Sequence, residues 1–223
     1  MKHLLLPSLL LFTSYSWADL QRATEAIHQG NGDLAIQELT RLAGEGNAEA
    51  QFKLGKLYAE GQLTKADPSR AILALTLSAA NGNLMAKGLI EAEKKKINLI
   101  QLAVLQEELG TLFQKGGPVK IQPEKAALWL GERALNPVQF NEEERGELAR
   151  KVGRIYEEKI FRFTSAHSWY LLAEAFGSER AVRDRQRMEL FLQEQSIAQS
   201  RNEAIKEYKR YLKQRKKMVE GKI

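Results

Sequence analysis

Few residues in this sequence have the types and spacing that catalysis or metal binding needs. The histidines are His3, His28 and His167, and none has a second histidine four residues later, as a helical zinc site requires. No serine lies in a Gly-x-Ser-x-Gly elbow, the turn that exposes the nucleophile of many hydrolases. Cysteine is absent, which excludes a thiolate nucleophile, a cysteine-ligated zinc and a disulfide framework. We therefore predict no catalytic residue, no metal and no cofactor, and a protein that is not an enzyme.

Two further patterns that could hold a ligand fail on their context. Gly44 and Gly46 form a loose Gly-x-Gly, but they follow a predicted helix, whereas a dinucleotide-binding loop follows a strand. The three glutamates at 142–144 are consecutive, so their carboxylates point in different directions around a helix and cannot converge. Asn141 before them is a suitable N-cap. The acidic run therefore indicates the start of a solvated helix.

The chain is organised by a repeated pattern of small and aromatic residues. Its first and clearest copy comprises Ala50, Leu54, Gly55, Tyr58, Gly61, Asp67, Arg70, Ala71, Ala79, Gly82 and Ala86. The second copy comprises Leu109, Gly110, Phe113, Gly116, Lys125, Ala126, Trp129 and Ala134. The third and weakest comprises Val152, Gly153, Tyr156, Ala166, Trp169, Ala173, Gly177 and Ala181. The step from Tyr58 to Ala71 and the step from Phe113 to Ala126 are both 13 residues, so the first two copies share one register.

The residue types in this pattern predict pairs of helices that pack closely. Ala50, Gly55 and Ala71 allow neighbouring helices to approach, whereas larger side chains would separate them. Gly61 and Gly82 suit the left-handed turns that end helices, because glycine adopts them without steric cost. The remaining positions to which we assign a structural role in the repeats are Leu54, Tyr58, Ala79, Gly110, Trp129, Gly153, Tyr156 and Trp169.

Local signals predict where several helices begin and end. Apolar periodicity and flanking turns predict helices over 49–60 and 69–80, with Asp33 as the N-cap of an earlier helix. The segment 179–223 is predicted to be one long or broken helix that frays beyond Leu212, where charged residues dominate. The residues predicted to cover the open end of the last repeat are Val182, Met188, Leu190, Phe191 and Leu192.

The pattern resembles the Sel1-like repeat, a relative of the tetratricopeptide repeat, over roughly residues 33–185. The resemblance implies an all-α, right-handed α-solenoid of antiparallel helix pairs. It also implies scaffolding of proteins or glycans rather than enzymatic turnover. The third copy departs from the pattern, since it lacks the loop glycine and aspartate and its step from Tyr156 to Ala166 is only 10 residues.

The N-terminal residues indicate export. Lys2 precedes an apolar stretch at 4–12, and the segment then ends Ser16-Trp17-Ala18, with small residues where signal peptidase requires them. The apolar stretch is shorter than the roughly 20 residues that span a membrane. We therefore predict a signal peptide at 1–18, a repeat solenoid of three to four helix pairs at 19–192, and a basic C-terminal helix or tail at 193–223. With no lipidation cysteine, the expected location is the periplasm, with secretion as the alternative, and no transmembrane segment after cleavage.

The positive charge of the chain is concentrated in its last residues. The segment 201–223 holds nine basic and three acidic residues, while the whole chain has a formal net charge of +6. A nucleic-acid partner conflicts with export, so two alternatives remain open. The tail either contacts an anionic envelope surface, mainly through Arg215, Lys216 and Lys217, or is a solvated helix that keeps the protein soluble.

Aromatic residues cluster around the shortened third loop. Phe161, Phe163, Trp169 and Tyr170 lie within ten residues. Aromatic residues at helical spacing usually pack in the core, but exposed ones would be partner contacts, because aromatic anchors dominate interfaces. Phe161, Phe163 and Tyr170 are the candidates for such contacts.

Two functions follow from these observations. The first is a non-enzymatic periplasmic scaffold that holds a protein partner of the cell envelope. The alternative is a protein or enzyme that binds or acts on cell-wall material or β-lactams, as some exported members of the resembled family do. Those members are rich in cysteine, and this chain has none.

Overall fold

The computed structural model describes residues 8–138 and 141–222, and within these ranges it contains helices and turns but no strand. Residues 1–7 of the predicted signal peptide lie outside the described residues. The helices between residues 8 and 94 pack consecutively against each other, as do those between residues 99 and 189, through short connections. The predicted all-α fold of helix pairs is therefore confirmed.

The described chain forms two compact units. The first runs to Ile97 and includes the loop Gly117–Lys120, and its helices are α1 Ser8–His28, α2 Gly32–Gly44, α3 Ala48–Glu60, α4 Pro68–Ala80 and α5 Ala86–Lys94. The second comprises Asn98–Gly116 and the chain from Ile121 onwards. Its helices are α6 Leu99–Lys115, α7 Pro123–Leu135, α8 Glu142–Ile155, α9 Phe163–Ala175, α10 Glu179–Glu189 and α11 Glu194–Val219, with a π-helical turn at Tyr156–Ile160.

Side-chain caps explain why several of these helices begin where they do. The Asn47 side chain accepts from the backbone N–H groups of Glu49 and Ala50, and Asp67 caps α4 in the same way. Helix α2 is capped by Asn31, not by Asp33. The prediction of Asp33 as the cap is therefore wrong by two positions. Asp33 instead lies in the first turn, where its negative charge interacts favourably with the positive end of the helix dipole.

The core of the first unit consists mainly of small and aliphatic residues from α1 to α4. Leu39 and Leu42 of α2 are fully buried, as are Ala50 of α3 and Ala71 of α4. Small residues let the backbones of α3 and α4 approach closely, since a methyl group added at Gly55 would lie 3.3 Å from the carbonyl oxygen of Ala71. The packing of this unit thus follows from the small residues of the repeat pattern.

The second unit has an aromatic core to which α11 contributes. Tyr211 of α11 is 2% exposed, and its ring meets that of Phe176 edge-on with centroids 5.1 Å apart. Helix α11 packs on α9 and α7 and remains helical to Val219. The prediction that the chain frays beyond Leu212 is therefore wrong, because Tyr211 and Tyr208 hold the helix against the unit.

A buried arginine joins the elements of the second unit. Arg145 is 1% exposed and its guanidinium donates to the carbonyl groups of Ala134 and Asn136 at 2.6 and 2.8 Å. It also lies over the rings of Tyr211 and Phe176, 4.5 and 5.5 Å from their centroids. Burial lowers the pKa of Arg145, but a guanidinium keeps its charge at any physiological pH. The end of α7, the start of α8 and α11 thus share one charged centre.

No helix among the described residues is long and apolar enough to cross a membrane. Helix α1 passes continuously through Ala18, after which cleavage is predicted. That prediction remains a prediction, as do the boundaries at residues 18 and 192.

Candidate interaction surfaces

Three glycines of the repeat pattern perform the same packing role in three helix pairs. A methyl group at Gly55 would lie 2.7 Å from Leu75 Cγ, and one at Gly110 would lie 2.6 Å from Leu130 Cδ2. A methyl group at Gly153 would lie 2.6 Å from the ring of Tyr170. Each glycine therefore accommodates the side chain that stands four residues after Ala71, Ala126 or Ala166 in the facing helix.

The other repeat positions to which we assigned a structural role lie in the interior or at turns. Ala50, Ala71, Leu54 and Tyr58 are buried, and the Arg70 guanidinium lies 5.5 Å from the centroid of the Tyr58 ring. Gly61 and Gly82 have φ values of 67° and 103°, which favour glycine. The positions that are only half-buried are Ala79, Trp129, Tyr156 and Trp169.

The α3–α4 pair and the α6–α7 pair, which carry the first and second copies of the pattern, each contain two hydrogen-bonded amide side chains. The sequence pattern did not reveal them. Asn81 Nδ2 donates to Gln51 Oε1 at 2.9 Å, and Asn136 Nδ2 donates to Gln106 Oε1 at 3.1 Å. The two glutamines stand four residues before Gly55 and Gly110, so equal spacing from the glycines could have identified them. The α8–α9 pair, which carries the third copy and is called the third pair below, has Ala149 and Phe176 at these positions.

The third helix pair differs most in its loop. Helix α8 passes into the π-helical turn Tyr156–Ile160, and Phe161 then ends it in the left-handed conformation, with φ 59°. Among the described residues, Phe161 is the one non-glycine with positive φ. A left-handed residue other than glycine costs about 1–2 kcal/mol. Strain of this kind, like a π-helical turn, is frequent at functional sites.

The aromatic candidates for partner contact divide into exposed and buried residues. Phe161 is 70% exposed and Phe163 is 45% exposed, so both can reach a partner. Tyr170 is fully buried, so the prediction that it contacts a partner is wrong. Its ring fills the space beside Gly153, and its hydroxyl donates to Glu157 at 2.5 Å.

Glu157 connects this buried tyrosine to the surface. Arg187 of α10 forms an ion pair with the Glu157 carboxylate, with Nη2 and Oε2 2.9 Å apart. Hydrogen bonding from Arg187 lowers the pKa of Glu157, and burial raises the pKa of Tyr170. The carboxylate therefore stays charged and the phenol stays protonated, which anchors the π-helical turn to α9 and α10.

Two further exposed apolar residues lie at the same end of the second unit. Leu190 and Phe191, in the turn between α10 and α11, are 81% and 76% exposed. The prediction that both cover the last repeat is therefore wrong, although Met188 beside them is buried as predicted. Glu189, directly before this turn, contacts His167, which stands about one helical turn after Phe163 on α9. We call Phe161, Phe163, Leu190 and Phe191 the aromatic end.

His167, Ser200 and Glu189 come together in an arrangement that resembles a catalytic triad. His167 Nδ1 lies 2.6 Å from Ser200 Oγ, and its Nε2 lies 3.2 Å from Glu189 Oε1. His167 and Ser200 are both fully buried, so a substrate cannot reach the hydroxyl. Burial lowers the pKa of His167, and the proton of the neutral ring lies on Nε2, which donates to the Glu189 carboxylate. The Ser200 hydroxyl lies within hydrogen-bond distance of both His167 Nδ1 and the carbonyl oxygen of Ile197. The cluster joins α9, α10 and α11.

The three basic residues proposed for an anionic surface are all exposed. Arg215 lies 3.3 Å from Glu142 of α8, and Lys216 lies 3.9 Å from Glu220. Two of the three charges thus have acidic neighbours within the second unit, so the net field at the end of α11 is smaller than the sequence indicates.

Within the described residues, no group of three or more His, Asp or Glu side chains is arranged to hold a metal ion. The candidate interaction surfaces of this protein are therefore distinguished by their exposure, charge and shape. The four residues of the aromatic end are not among the positions of the repeat pattern.

Two solved structures are similar to this chain. One is a protective antigen present in uropathogenic Escherichia coli strains that displays an SLR fold. It has 18% identity, with 92% of this chain and 48% of the antigen covered, and a TM-score of 0.41. The other is a Sel1 repeat protein from Oxalobacter formigenes with 16% identity, 86% of this chain and 83% of that protein covered, and a TM-score of 0.31.

The chain thus spans about half the length of the antigen. Both structures are repeat proteins of the class that the sequence pattern resembles. No model of a known protein family matches the chain, and no curated protein is similar to it.

Proposed function

We propose that this chain is a non-enzymatic repeat scaffold that binds a protein partner in the bacterial periplasm, with the aromatic end as a contact surface. The observation that carries the proposal is Phe161, a strained left-handed residue whose ring is 70% exposed. The left-handed conformation ends the helix, but glycine would adopt it without strain and without leaving a large apolar ring in water. A phenylalanine at this position is explained if its ring contacts a partner.

The chemistry of the aromatic end supports a protein partner. Aromatic side chains are enriched at protein interfaces, and three residues of the aromatic end, Phe161, Phe163 and Phe191, are exposed phenylalanines. The helix pairs behind them supply a rigid support, because the Tyr170 ring, the Glu157 carboxylate and the Arg187 guanidinium fix the loop against α9 and α10. The surface can therefore present its rings with little loss of conformational entropy on binding.

Photo-crosslinking in cells tests the proposal. A photoreactive amino acid is placed at Phe161, at Phe163 and at the control position Leu84, which is 77% exposed in the first unit. We expect one envelope protein to be crosslinked at both phenylalanine positions and not at Leu84. The purified partner should then bind the Phe161→Ala variant at least tenfold more weakly. Equal crosslinking at all three positions would contradict the proposal.

The location is tested separately. Osmotic-shock fractionation should release the protein with periplasmic markers, and N-terminal sequencing should show a mature chain that starts at Asp19. A matched variant, Ala18→Arg, should block processing, because signal peptidase requires a small residue there. Recovery of the unprocessed wild-type chain in the cytoplasm would refute the periplasmic part of the proposal alone.

A further inference from the structure

An open apolar groove of about 470 Å³ lies between α9 and α11 of the second unit. Its floor includes Leu172 and Ala204, which are 1% and 7% exposed. Its outer edge on α11 includes Ile205 and Leu212, which are 51% and 43% exposed. Apolar surface of this kind remains in contact with water unless another element covers it.

The outer edge is a regular stripe on α11. Ile205, Tyr208 and Leu212 follow one another at positions i, i+3 and i+7, so they share one face of the helix. This face adjoins the one that α11 buries through Ser200 and Tyr211, and Tyr208 lies between the two, with its ring 5.6 Å from that of Phe176. Helix α11 therefore has two apolar faces, of which one packs on the unit and the other borders the groove.

The charged residues that line the groove are both basic. They are Arg201 and Lys209 of α11. Arg201 has Glu189 at 3.6 Å, but within the described part of the chain no carboxylate lies within 4.0 Å of Lys209. Lys213, one turn further on, is exposed on the same helix. The apolar stripe along the groove thus has a basic residue at its start, Arg201, and basic residues along one side, Lys209 and Lys213.

We propose that this groove binds an amphipathic α-helix of a partner protein whose apolar stripe is flanked by aspartate or glutamate. The proposal rests on the scaffold function above and specifies the chemistry of one partner segment. Apolar anchors at i, i+3 and i+7 match the same spacing on a helix laid beside them. Carboxylates on that helix would meet Lys209 and Arg201, which favours the acidic partner over a basic one.

The same features disfavour two other occupants. A bilayer surface cannot enter a groove whose floor, Leu172 and Ala204, is recessed between two helices. A symmetric second copy would place the basic flanks of both grooves opposite each other, because a two-fold interface pairs identical surfaces. Like charges at Lys209 and its symmetry mate would oppose that association.

Two synthetic peptides of about 14 residues, each spanning ~21 Å when helical, test the proposal with the full chain. Both carry leucine at i, i+3 and i+7, but one has glutamate on both flanks and the other has lysine. Affinity is measured by fluorescence anisotropy at low and high salt. We expect the acidic peptide to bind at least tenfold more tightly than the basic one, with the difference reduced at high salt.

Matched variants assign the binding to the groove. Ile205→Asp should weaken the acidic peptide at least tenfold, whereas Ile100→Asp on α6 should not, since the two isoleucines are 51% and 50% exposed. Lys209→Glu should weaken the acidic peptide, whereas Lys87→Glu, at an exposed lysine of the first unit, should have no effect. Circular dichroism confirms that all four variants remain folded.

Four results would overturn the proposal. Equal affinity for both peptides would show that the groove does not select an acidic helix. Binding that Ile205→Asp leaves unchanged would show that the peptide binds elsewhere. Binding to phosphatidylglycerol vesicles that Ile205→Asp abolishes would assign the groove to a membrane. Self-association in the ultracentrifuge that the same variant abolishes would assign it to a second copy. None of these results affects crosslinking at Phe161, so failure here is distinguishable from failure of the proposed scaffold function.

Discussion

The α3–α4 pair in the first unit and the α8–α9 pair in the second share a packing register but differ in their loops. Gly61 ends α3 in the left-handed conformation, whereas Phe161 ends the π-helical turn after α8 in the same conformation. Each loop closes with a backbone hydrogen bond of 2.9 Å that a tyrosine carbonyl, Tyr58 or Tyr156, accepts. The loop therefore varies in length and residue type while the helix contact behind it is retained.

The two pairs also differ in the side chain that faces the repeat glycine. Gly55 faces Leu75 in the first pair, whereas Gly153 faces the larger ring of Tyr170 in the third. The polar hydroxyl of that ring bonds to Glu157 of the π-helical turn. The third pair thus couples its core to its altered loop, which the first pair does not. Two helix pairs with the same packing register can therefore differ in their surfaces, and only the third pair has the altered loop.

The largest expected effect is at the ring that fills the third pair. Tyr170→Ala should lower the free energy of unfolding by about 4 kcal/mol, because it opens a cavity beside Gly153 and removes the bond to Glu157. Leu75→Ala should cost about 3 kcal/mol in the first pair. Urea denaturation measures both. A loss of less than about 1 kcal/mol for Tyr170→Ala would show that the ring is not a core element.

The next effect concerns the amide pair that the third helix pair lacks. Asn81→Ala should cost about 2 kcal/mol, because it leaves Gln51 Oε1 without the donor that now lies 2.9 Å away. It also removes one of the two side-chain donors to the Pro118 carbonyl, the other being Gln51 Nε2. Asn202→Ala, at an exposed position of α11, is the control and should change stability by less than ~0.5 kcal/mol. Equal effects of the two substitutions would show that the amide pair does not stabilise the fold.

A pH dependence should distinguish the third pair from the first. His167 occupies the position of Ile72, directly after the repeat alanine, and burial lowers its pKa below the ordinary value of 6.5. The unfolded chain therefore takes up the proton first, so stability should fall as the pH drops below 6.5, by at most about 1.4 kcal/mol per pH unit. The ring also faces the charged groups Glu189, Arg185 and Arg201. The pKa of Glu189 is lowered and that of Arg185 is raised, so neither titrates in this range.

Denaturation at pH values from 5 to 8 measures this slope. His167→Ile, which copies the first pair, should remove the contribution of His167 to the slope. His28→Gln, at an exposed histidine of α1, should leave the slope unchanged. If His167→Ile kept the full slope, the acid sensitivity would come from other groups.

A smaller effect separates the glycines of the two pairs. Gly153→Ala should cost about 1 kcal/mol, because overpacking against the stiff Tyr170 ring outweighs the gain in helix propensity. Gly55→Ala should cost less, since the Leu75 side chain can change rotamer. Gly88→Ala in α5 has nothing within 4 Å of the added methyl group and should stabilise by roughly 0.5 kcal/mol. Thermal denaturation of the three variants gives the order, and a stabilising Gly153→Ala would contradict the close contact.

The sequence predicted the first pair almost completely, because its signals are local. Gly61 and Asp67 determine where α3 ends and where α4 begins. The burial of Tyr170 was also open to prediction, since it stands four residues after Ala166 as Leu75 stands after Ala71. Register is a better guide to burial here than residue type.

The second unit was harder to predict because its contacts are distant in sequence. Arg145 meets Tyr211 across more than 60 residues, and arginine is rarely fully buried. The same distant contact keeps α11 packed, which its charged composition did not indicate. Leu190 and Phe191 are apolar, yet they lie in an exposed turn that no periodicity identifies. The candidate surfaces therefore depend on tertiary packing rather than on local pattern.

The smallest effect tests whether the altered loop exists for binding. Phe161→Gly should raise the free energy of unfolding by about 0.5–1 kcal/mol, because glycine relieves the left-handed strain at φ 59°. The same variant should bind the partner at least tenfold more weakly, since the exposed ring is lost. Gly61→Ala is the matched reverse change and should destabilise, because its methyl group would lie 2.9 Å from Ala66 Cβ at positive φ.

Stability and binding should therefore change in opposite directions at Phe161. Phe161→Ala separates the two effects, since it removes the ring but keeps a side chain in the strained conformation, so binding should fall without a gain in stability. A Phe161→Gly variant that lost more than about 1 kcal/mol would show that the ring packs on the loop. In that case the strain would be offset within the fold itself, and the third pair would differ from the first in packing rather than in function.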